Sequence, residues 1–270
     1  MEELKTAEKL SSQEYWDDVL EEAKLPRVNT GRSYHYRVTM DFIDSSIRNQ
    51  PYTTFFEVGC GSSGWLPYFA QEYGLKVSGI DYSAIGCRLA EENLRLLGIP
   101  YGEIFCKDIF EEDCTDGKKY DIVFSYGVIE HFENPEDIIG IFSSFLNPGG
   151  IMITLVPNLN GCMGWLSRQF VPDIYKMHRV ISKQQLRGYH ESNTLKDLRT
   201  NYAGTFTLAV LPLVRSRHWL FRKGSLQRKI ALSGFATFDK LASGMFRLLK
   251  INIPTRNFSP YIISIAKKNI

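Results

Sequence analysis

The stretch EVGCGSSG, residues 57–64, decides the fold when it is read with TTFF before it and WLPYF after it. A short apolar run closes on glycines, and a second apolar-rich run resumes at once from Trp65 to Tyr73. This is the signature of a buried strand, a tight turn and a helix. Gly59, Gly61 and Gly64 are spaced G-x-G-x-x-G. Such a turn lets a ligand approach the backbone, and the helix start offers it free N–H groups.

Working outward, the same alternation repeats. KVSGIDYS (76–83) reads as a second strand, and AIGCRLAEENLRLLG as a helix closed by Gly98. EIFCKDIF (103–110) and YDIVFSYGV (120–128) read as the third and fourth strands. A helix, DIIGIFSSFL from Asp137, then leads through an NPGG turn to a fifth strand, GIMITLVPN (150–158). Strands and helices alternating at this spacing predict a parallel sheet covered on both faces.

Beyond residue 158 the rhythm breaks. Residues 159–200 read as loop and helix, TFTLAVLPLV (205–214) as a sixth strand and PYIISIAKK (260–268) as a seventh. At the other end, SSQEYWDDVLEEA spaces Tyr15, Val19 and Ala23 as one helical face, and TMDFIDSSI continues as a second helix. The expected organisation is a helical cap over 1–50 and an α/β domain over 51–270. Within the latter, 159–200 forms a cap region and 215–250 an insertion before the last strand.

Composition narrows the class. The chain has 270 residues, 44% hydrophobic and 23% charged, enough for a full core. A net charge of +2 does not call for nucleic acid. The charge is uneven, with eight acidic and four basic residues in 1–30, against nine Lys or Arg and the single acid Asp239 in 215–250. Cys60, Cys87, Cys106, Cys114 and Cys162 form no C-x-x-C pair, which suits a reducing compartment. MEELKTAEKL has no apolar core of a signal peptide, and no run of 18 apolar residues occurs. A cytoplasmic protein is expected.

Glycine spacing alone admits a dinucleotide, and with it a NAD-dependent oxidoreductase. Three acids favour another cofactor. Glu57 stands at the end of the first strand, where a carboxylate can orient the loop or receive an ammonium. Asp81 ends the second strand about 20 residues on, where an acid can accept ribose hydroxyls. Asp108 ends the third, placed to accept an adenine amino group. Both aspartates also suit simple capping of the segments that follow them.

With EVGCGSSG, GIDYS, KDIF, YDIVFSYGVIEHF and LNPGGIMITLVPN in place, residues 50–158 resemble the class I S-adenosylmethionine (SAM) methyltransferases. The likeness is greatest to their ubiquinone-methyltransferase-like, or type 11, group. The resemblance implies a Rossmann-like seven-stranded sheet, mostly parallel, with an antiparallel last strand that SPYIISIAKK fits. It implies that Glu57, Gly59 and Gly61 shape the loop around the methionine moiety. By the same likeness Asp81 holds the ribose, Tyr82 flanks the adenine, and Asp108 with Ile109 binds it, while Ser125 and Tyr126 line the sulfonium side. The chain departs from the pattern at Ser63, where glycine is usual.

Methyl transfer is an in-line displacement that gains from positioning and, for a hydroxyl acceptor, from a base. His131, in VIEHF, and His178, in DIYKMHR, are the candidate bases. Tyr175 and Arg179 stand beside the latter as candidate acceptor contacts. Relatives that bind a divalent metal carry E-x-x-E-H after the fourth strand. Here the set reads G-V-I-E-H, so metal-independent action is expected. GRSYHYR (31–37) resembles a lid in which Arg32, Tyr34, His35 or Tyr36 closes over the cofactor.

No N/D-P-P-Y/F follows the fourth strand and no Pro-Cys pair exists, so base or glutamine methylation is not indicated. A small-molecule acceptor is expected, methylated at oxygen or nitrogen. Resemblance of the 156–179 region points to a saccharide, glycolipid precursor or secondary metabolite, with a lipid quinone as alternative. A SAM-binding partner subunit without turnover is the alternative of another class. The basic insertion 215–250 reads as a helical cover whose three glycines weaken any single long helix, or as a contact with an anionic membrane surface.

Overall fold

The computed structural model describes residues 8–31, 34–204, 206–208, 210–222 and 224–269. Seven strands form one sheet in the order β3-β2-β1-β4-β5-β7-β6. They are β1 Thr54–Val58, β2 Lys76–Asp81, β3 Ile104–Cys106, β4 Tyr120–Tyr126, β5 Leu146–Pro157, β6 Leu195–Ala203 and β7 Tyr261–Lys268. β7 runs antiparallel to both neighbours, and the pairings among β1 to β5 are parallel.

Alternation along β1 divides the core. Phe55 faces a cluster with Ile43 and Ile47 of α2 (Tyr34–Ile47), Phe69 of α3 (Trp65–Tyr73) and Leu94 of α4 (Ala84–Leu96). Phe56 faces the other, with Ile138 and Phe142 of α5 (Pro135–Ser144). Successive strand residues point to opposite faces, so Phe55 on one side and Phe56 with Val58 on the other feed both layers. α1 (Gln13–Glu21), α6 (Cys162–Phe170), α7 (Pro172–Tyr175), α8 (Lys183–Ser192) and α9 (Leu226–Leu248) complete the molecule.

The sixth strand differs from the expected one. It is Leu195–Ala203, LKDLRTNYA, and not the apolar run 205–214. β6 is an edge strand with one face in water, and a register shift between Asp197 and Arg199 interrupts its alternation. Both features erase the sequence pattern of a strand. The apolar run instead supplies Leu208, Leu211 and Leu213 to a separate small core with Met163 and Phe221. β3 is also shorter than read, three residues in place of eight.

The insertion departs too: α9 is one helix of 23 residues, continuous through Gly234 and Gly244. Each glycine costs about 1 kcal/mol relative to Ala. Neither is demanded by packing, since a Cβ at either would meet nothing. Ser225 caps the helix by accepting the Arg228 N–H at 3.1 Å.

Candidate functional site

The C-terminal ends of the parallel strands open on a cavity of about 500 Å³. Its floor is the turn after β1. Gly59 and Gly61 lie at φ +72° and +28°, and a Cβ on Gly59 would stand 2.8 Å from Val128 Cγ2. The backbone there must be glycine both for its angle and for its closeness to the next loop.

Glu57 lies beneath the turn, 2% exposed. Its Oε1 accepts the Ser63 hydroxyl at 2.7 Å, and Ser63 Oγ in turn accepts the Trp65 N–H at 2.9 Å, at the start of α3. Serine at 63 therefore ties the carboxylate to the helix, a bond that glycine cannot make. Glu57 Oε2 is buried without a hydrogen-bond partner. Burial is the main cause that pushes this carboxyl up to about 8, with the Ser63 bond opposing it. An unpartnered buried acceptor gains from a donor or a cation that can reach it.

Asp81 and Asp108 flank the cavity at the next two strand ends. Asp81 Oδ2 accepts the Gly61 N–H at 2.9 Å and Oδ1 the Ser83 N–H at 2.8 Å, bracing the turn against the start of α4. Asp108 Oδ1 accepts the Phe110 N–H at 3.2 Å, and Oδ2 meets Lys9 Nζ at 2.5 Å. Lys9 also sits 4.5 Å from the Tyr82 ring centroid. Both aspartates thus do the local capping that an acid at a strand end commonly does, and both also face the cavity.

The far wall comes from the loop after β4 and from the 159–182 region. His131 Nδ1 bonds the Met177 carbonyl at 2.8 Å, and His178 Nδ1 the Ile174 carbonyl at 2.7 Å. A carbonyl only accepts, so both rings carry their proton on Nδ1 and leave Nε2 bare. The rings lie 4.4 Å apart between centroids, and His131 Nε2 stands 4.0 Å from Glu130 Oε1. Burial, with His178 adding to it, lowers His131 to about 3, while His178 is lowered less far, again by burial. Burial raises Glu130 to about 8, and its Oε2 is also unpartnered.

One donor atom each from Glu130, His131 and His178 falls within 4.8 Å of the others, a set that could hold a divalent cation. The third donor, absent from position 127, is His178, 47 residues beyond His131. Sequence spacing could not reveal it.

Of the expected site residues, Glu57, Gly59, Gly61, Asp81, Tyr82, Asp108, Ile109, Tyr126, His131, Tyr175 and His178 line this one cavity. Two do not. Ser125 is 1% exposed, its hydroxyl unpartnered inside the sheet, because alternation along β4 turns it away from the cavity while Tyr126 faces it. Arg179 points outward, with Nη2 3.2 Å from Glu133 Oε2. Its backbone joins the site instead, the N–H donating to the Glu130 carbonyl at 2.6 Å.

Of the lid candidates, Tyr36 reaches the cavity, Tyr34 and His35 are buried, and Arg32 lies outside the described residues. Sequence reasoning missed Lys9, Trp16 and Arg27. Trp16 stands edge-on to His131 at 5.0 Å, and its indole N–H donates to Ser11. Leu10 N–H donates to the His131 carbonyl, and Lys9 pairs with Phe132 as an isolated antiparallel bridge. The acidic helix α1 and the residues before it therefore close over the site.

A cavity of this size suits a cofactor of a few tens of atoms. Its donor set fits SAM: acids at three successive strand ends, one of them with an unpartnered oxygen, and a glycine turn. Residues 56–152 match a family model described as a methyltransferase domain. Ubiquinone biosynthesis O-methyltransferase of Glaesserella parasuis is 32% identical over 99 residues, 36% of this chain and 42% of that protein. Phosphoethanolamine N-methyltransferase 1 of Zea mays is 27% identical over 186 residues, 64% of this chain and 34% of that protein. The chain thus spans less than half the length of these two curated relatives.

Magnesium protoporphyrin IX methyltransferase from Synechocystis PCC 6803, solved with bound SAH, has a TM-score of 0.53 at 15% identity. That likeness covers 95% of this chain and 93% of the other, and it speaks to the fold. Domain match and sheet order agree: residues 56–152 form a methyltransferase domain within a Rossmann-like seven-stranded sheet.

Proposed function

We propose that the chain transfers a methyl group from SAM to a small-molecule acceptor, at oxygen or nitrogen. The observation that carries this reading is one continuous cavity lined both by the three strand-end acids and by His178. In the reading, Glu57 Oε2 takes the methionine ammonium, Asp81 the ribose, and Asp108 with Tyr82 and Ile109 the adenine. Gly59 and Gly61 let the cofactor lie against the backbone, and Tyr126 borders the sulfonium.

The acceptor atom attacks the methyl carbon as the sulfur–carbon bond breaks, and the sulfonium leaves as a neutral thioether. The acceptor's proton passes to His178 Nε2. His178 is the better base of the two histidines, because His131 is held so far below its ordinary value that it binds a proton poorly. Tyr175 stands near it as an acceptor contact. Leu159, Met163, Val171, Ile174 and Leu211 line the acceptor end, which supports an acceptor with an apolar body, as in the lipid-quinone alternative, over a bare saccharide.

The Glu130, His131 and His178 cluster favours a second reading, in which a divalent cation held there lowers the acceptor hydroxyl's pKa. Incubation of the protein with metabolite pools and methyl-labelled SAM, read by mass, tests the main reading. A labelled product is expected, lost in His178→Ala, and absence of any labelled product from a protein that binds SAM would leave the partner-subunit alternative. Chelation followed by stepwise return of zinc or magnesium separates the two chemistries. Unchanged turnover and unchanged melting temperature throughout would remove the second.

A further inference from the structure

Not one residue of α9 is buried, although it is a 23-residue helix. Leu226, Ile230, Phe238, Leu241, Met245 and Leu248 are 49–82% exposed. At roughly 100° per residue these six fall within an arc of about 120°. The helix holds to the body mainly by a different side, and at the edge of the arc Phe238 also meets Phe206 at 6.2 Å and lines, with Ile230, a groove against Leu166 and Leu208. Phe235 meets Phe221 at 5.9 Å between ring centroids, and Asp239 accepts from Thr207 Oγ1 and from the Leu208 N–H. Exposed Lys229 and Lys240 share one line of the helix, bordering the apolar arc.

A contiguous apolar face rimmed by cations requires an explanation, since solvated helices normally turn such side chains inward. We infer that α9 lies in the plane of an anionic lipid surface, its apolar arc in the acyl boundary and its lysines on the headgroups. Charge selects this occupant. Residues 215–250 carry nine basic side chains and one acid, and that acid, Asp239, is spent on the body of the protein. A second copy of the same face would bring like-charged rims together, whereas anionic headgroups complement them. The helix meets the requirements for lying on a bilayer, and none of the described helices is long and apolar enough to cross one.

Trp219, 68% exposed, stands in the turn that packs on α9 through Phe221, and an amphipathic aromatic suits a headgroup boundary. The connection before α9 also runs past the catalytic cavity, where Leu211, Pro212 and Arg215 line the wall.

Vesicle co-sedimentation of the full chain tests this without reference to turnover, so its outcome is independent of the proposed methyl transfer. The probes are phosphatidylcholine vesicles and the same vesicles with phosphatidylglycerol added. Binding is expected only to the latter, weakening as salt is raised. Lys229→Gln and Lys240→Gln should each lower the affinity about fivefold. Leu241→Glu with Leu248→Glu should abolish it at an unchanged melting temperature, because both side chains already face water. Equal or absent binding to the two vesicle types overturns the proposal. So does a dimer in sedimentation velocity that the leucine variants dissociate while vesicle binding is unaffected, an outcome that gives the face to a second copy.

Discussion

Glu57 is a carboxyl whose ordinary value of 4.5 is pushed up to about 8 by burial. It therefore keeps its proton near neutral pH when no cation is at hand. A ligand ammonium at Oε2 stabilises the carboxylate, so SAM binding must expel that proton. Affinity for SAM is expected to rise with pH between about 6 and 7.5, the range in which Glu57 begins to titrate. Calorimetry near pH 7 in buffers of different ionisation enthalpy should detect the released proton, and Glu57→Gln should remove both signals. A pH slope that survives in Glu57→Gln would exclude Glu57 as its source. Asp81 makes a complementary test. Asn at 81 can still accept one backbone N–H, yet it loses a charge-assisted bond worth about 1.5–3 kcal/mol. Asp81→Asn should weaken SAM binding by about ten- to a hundredfold, with a small loss of stability from the one backbone bond it breaks, and an unchanged calorimetric affinity would sink the ribose role.

At the scale of elements, the segment from Lys9 through α1 behaves as a clasp. It is tied to the loop after β4 by the Leu10 and Glu133 backbone bonds, and to α4 by Ser83 Oγ on Asp17 at 2.5 Å. The Lys9–Asp108 pair is about a third exposed and adds little by itself. Trp16 against His131 is the contact that holds the clasp to the catalytic wall. Such an aromatic pair is worth about 0.5–1.5 kcal/mol, so Trp16→Ala should speed SAM dissociation roughly two- to tenfold. Stopped-flow displacement checks this, and an unaltered off-rate removes the clasp. The clasp also marks where sequence reading stops. Strands β1, β2, β4 and β5 and the acids at their ends were legible, because a buried parallel strand must be a continuous apolar run and its terminal carboxylate stands out. β6 was not, since an edge strand with a bulge need not alternate, and α9 was legible as a helical insertion but not as one continuous helix, because Gly234 and Gly244 count against it. Ser125 was misjudged by one position of strand alternation. His131 and His178 were each legible as single histidines, but their meeting with one another and with Glu130 became so only when the chain was folded.

For the whole molecule, two sets of buried titrating groups act in opposite directions. Burial lowers His35 and His190 to about 4 and His131 to about 3, from 6.5. Across that window the unfolded chain binds more protons than the folded one, so stability rises with pH and is lost as pH falls below 6.5. Glu57 and Glu130 are raised from 4.5 to about 8. Across theirs the folded chain binds more protons, so stability is fullest below 4.5 and is lost as pH rises through 8. Between 4.5 and 6.5 the three histidines outweigh the two glutamates, and above 6.5 the glutamates act alone. Chemical denaturation of the ligand-free protein should therefore show greatest stability near pH 6.5 and a decline toward pH 8. The double variant Glu57→Gln, Glu130→Gln should lose that decline and keep the acid limb. Saturating SAM should lessen the decline, because a cation beside Glu57 lowers the cost of ionising it. A stability that climbs from pH 6.5 to 8 in the unliganded wild type would mean that the two carboxyls are already ionised in the fold. Glu57 would then hold no proton for the cofactor to displace, and the pH dependence expected of SAM binding would fail with it.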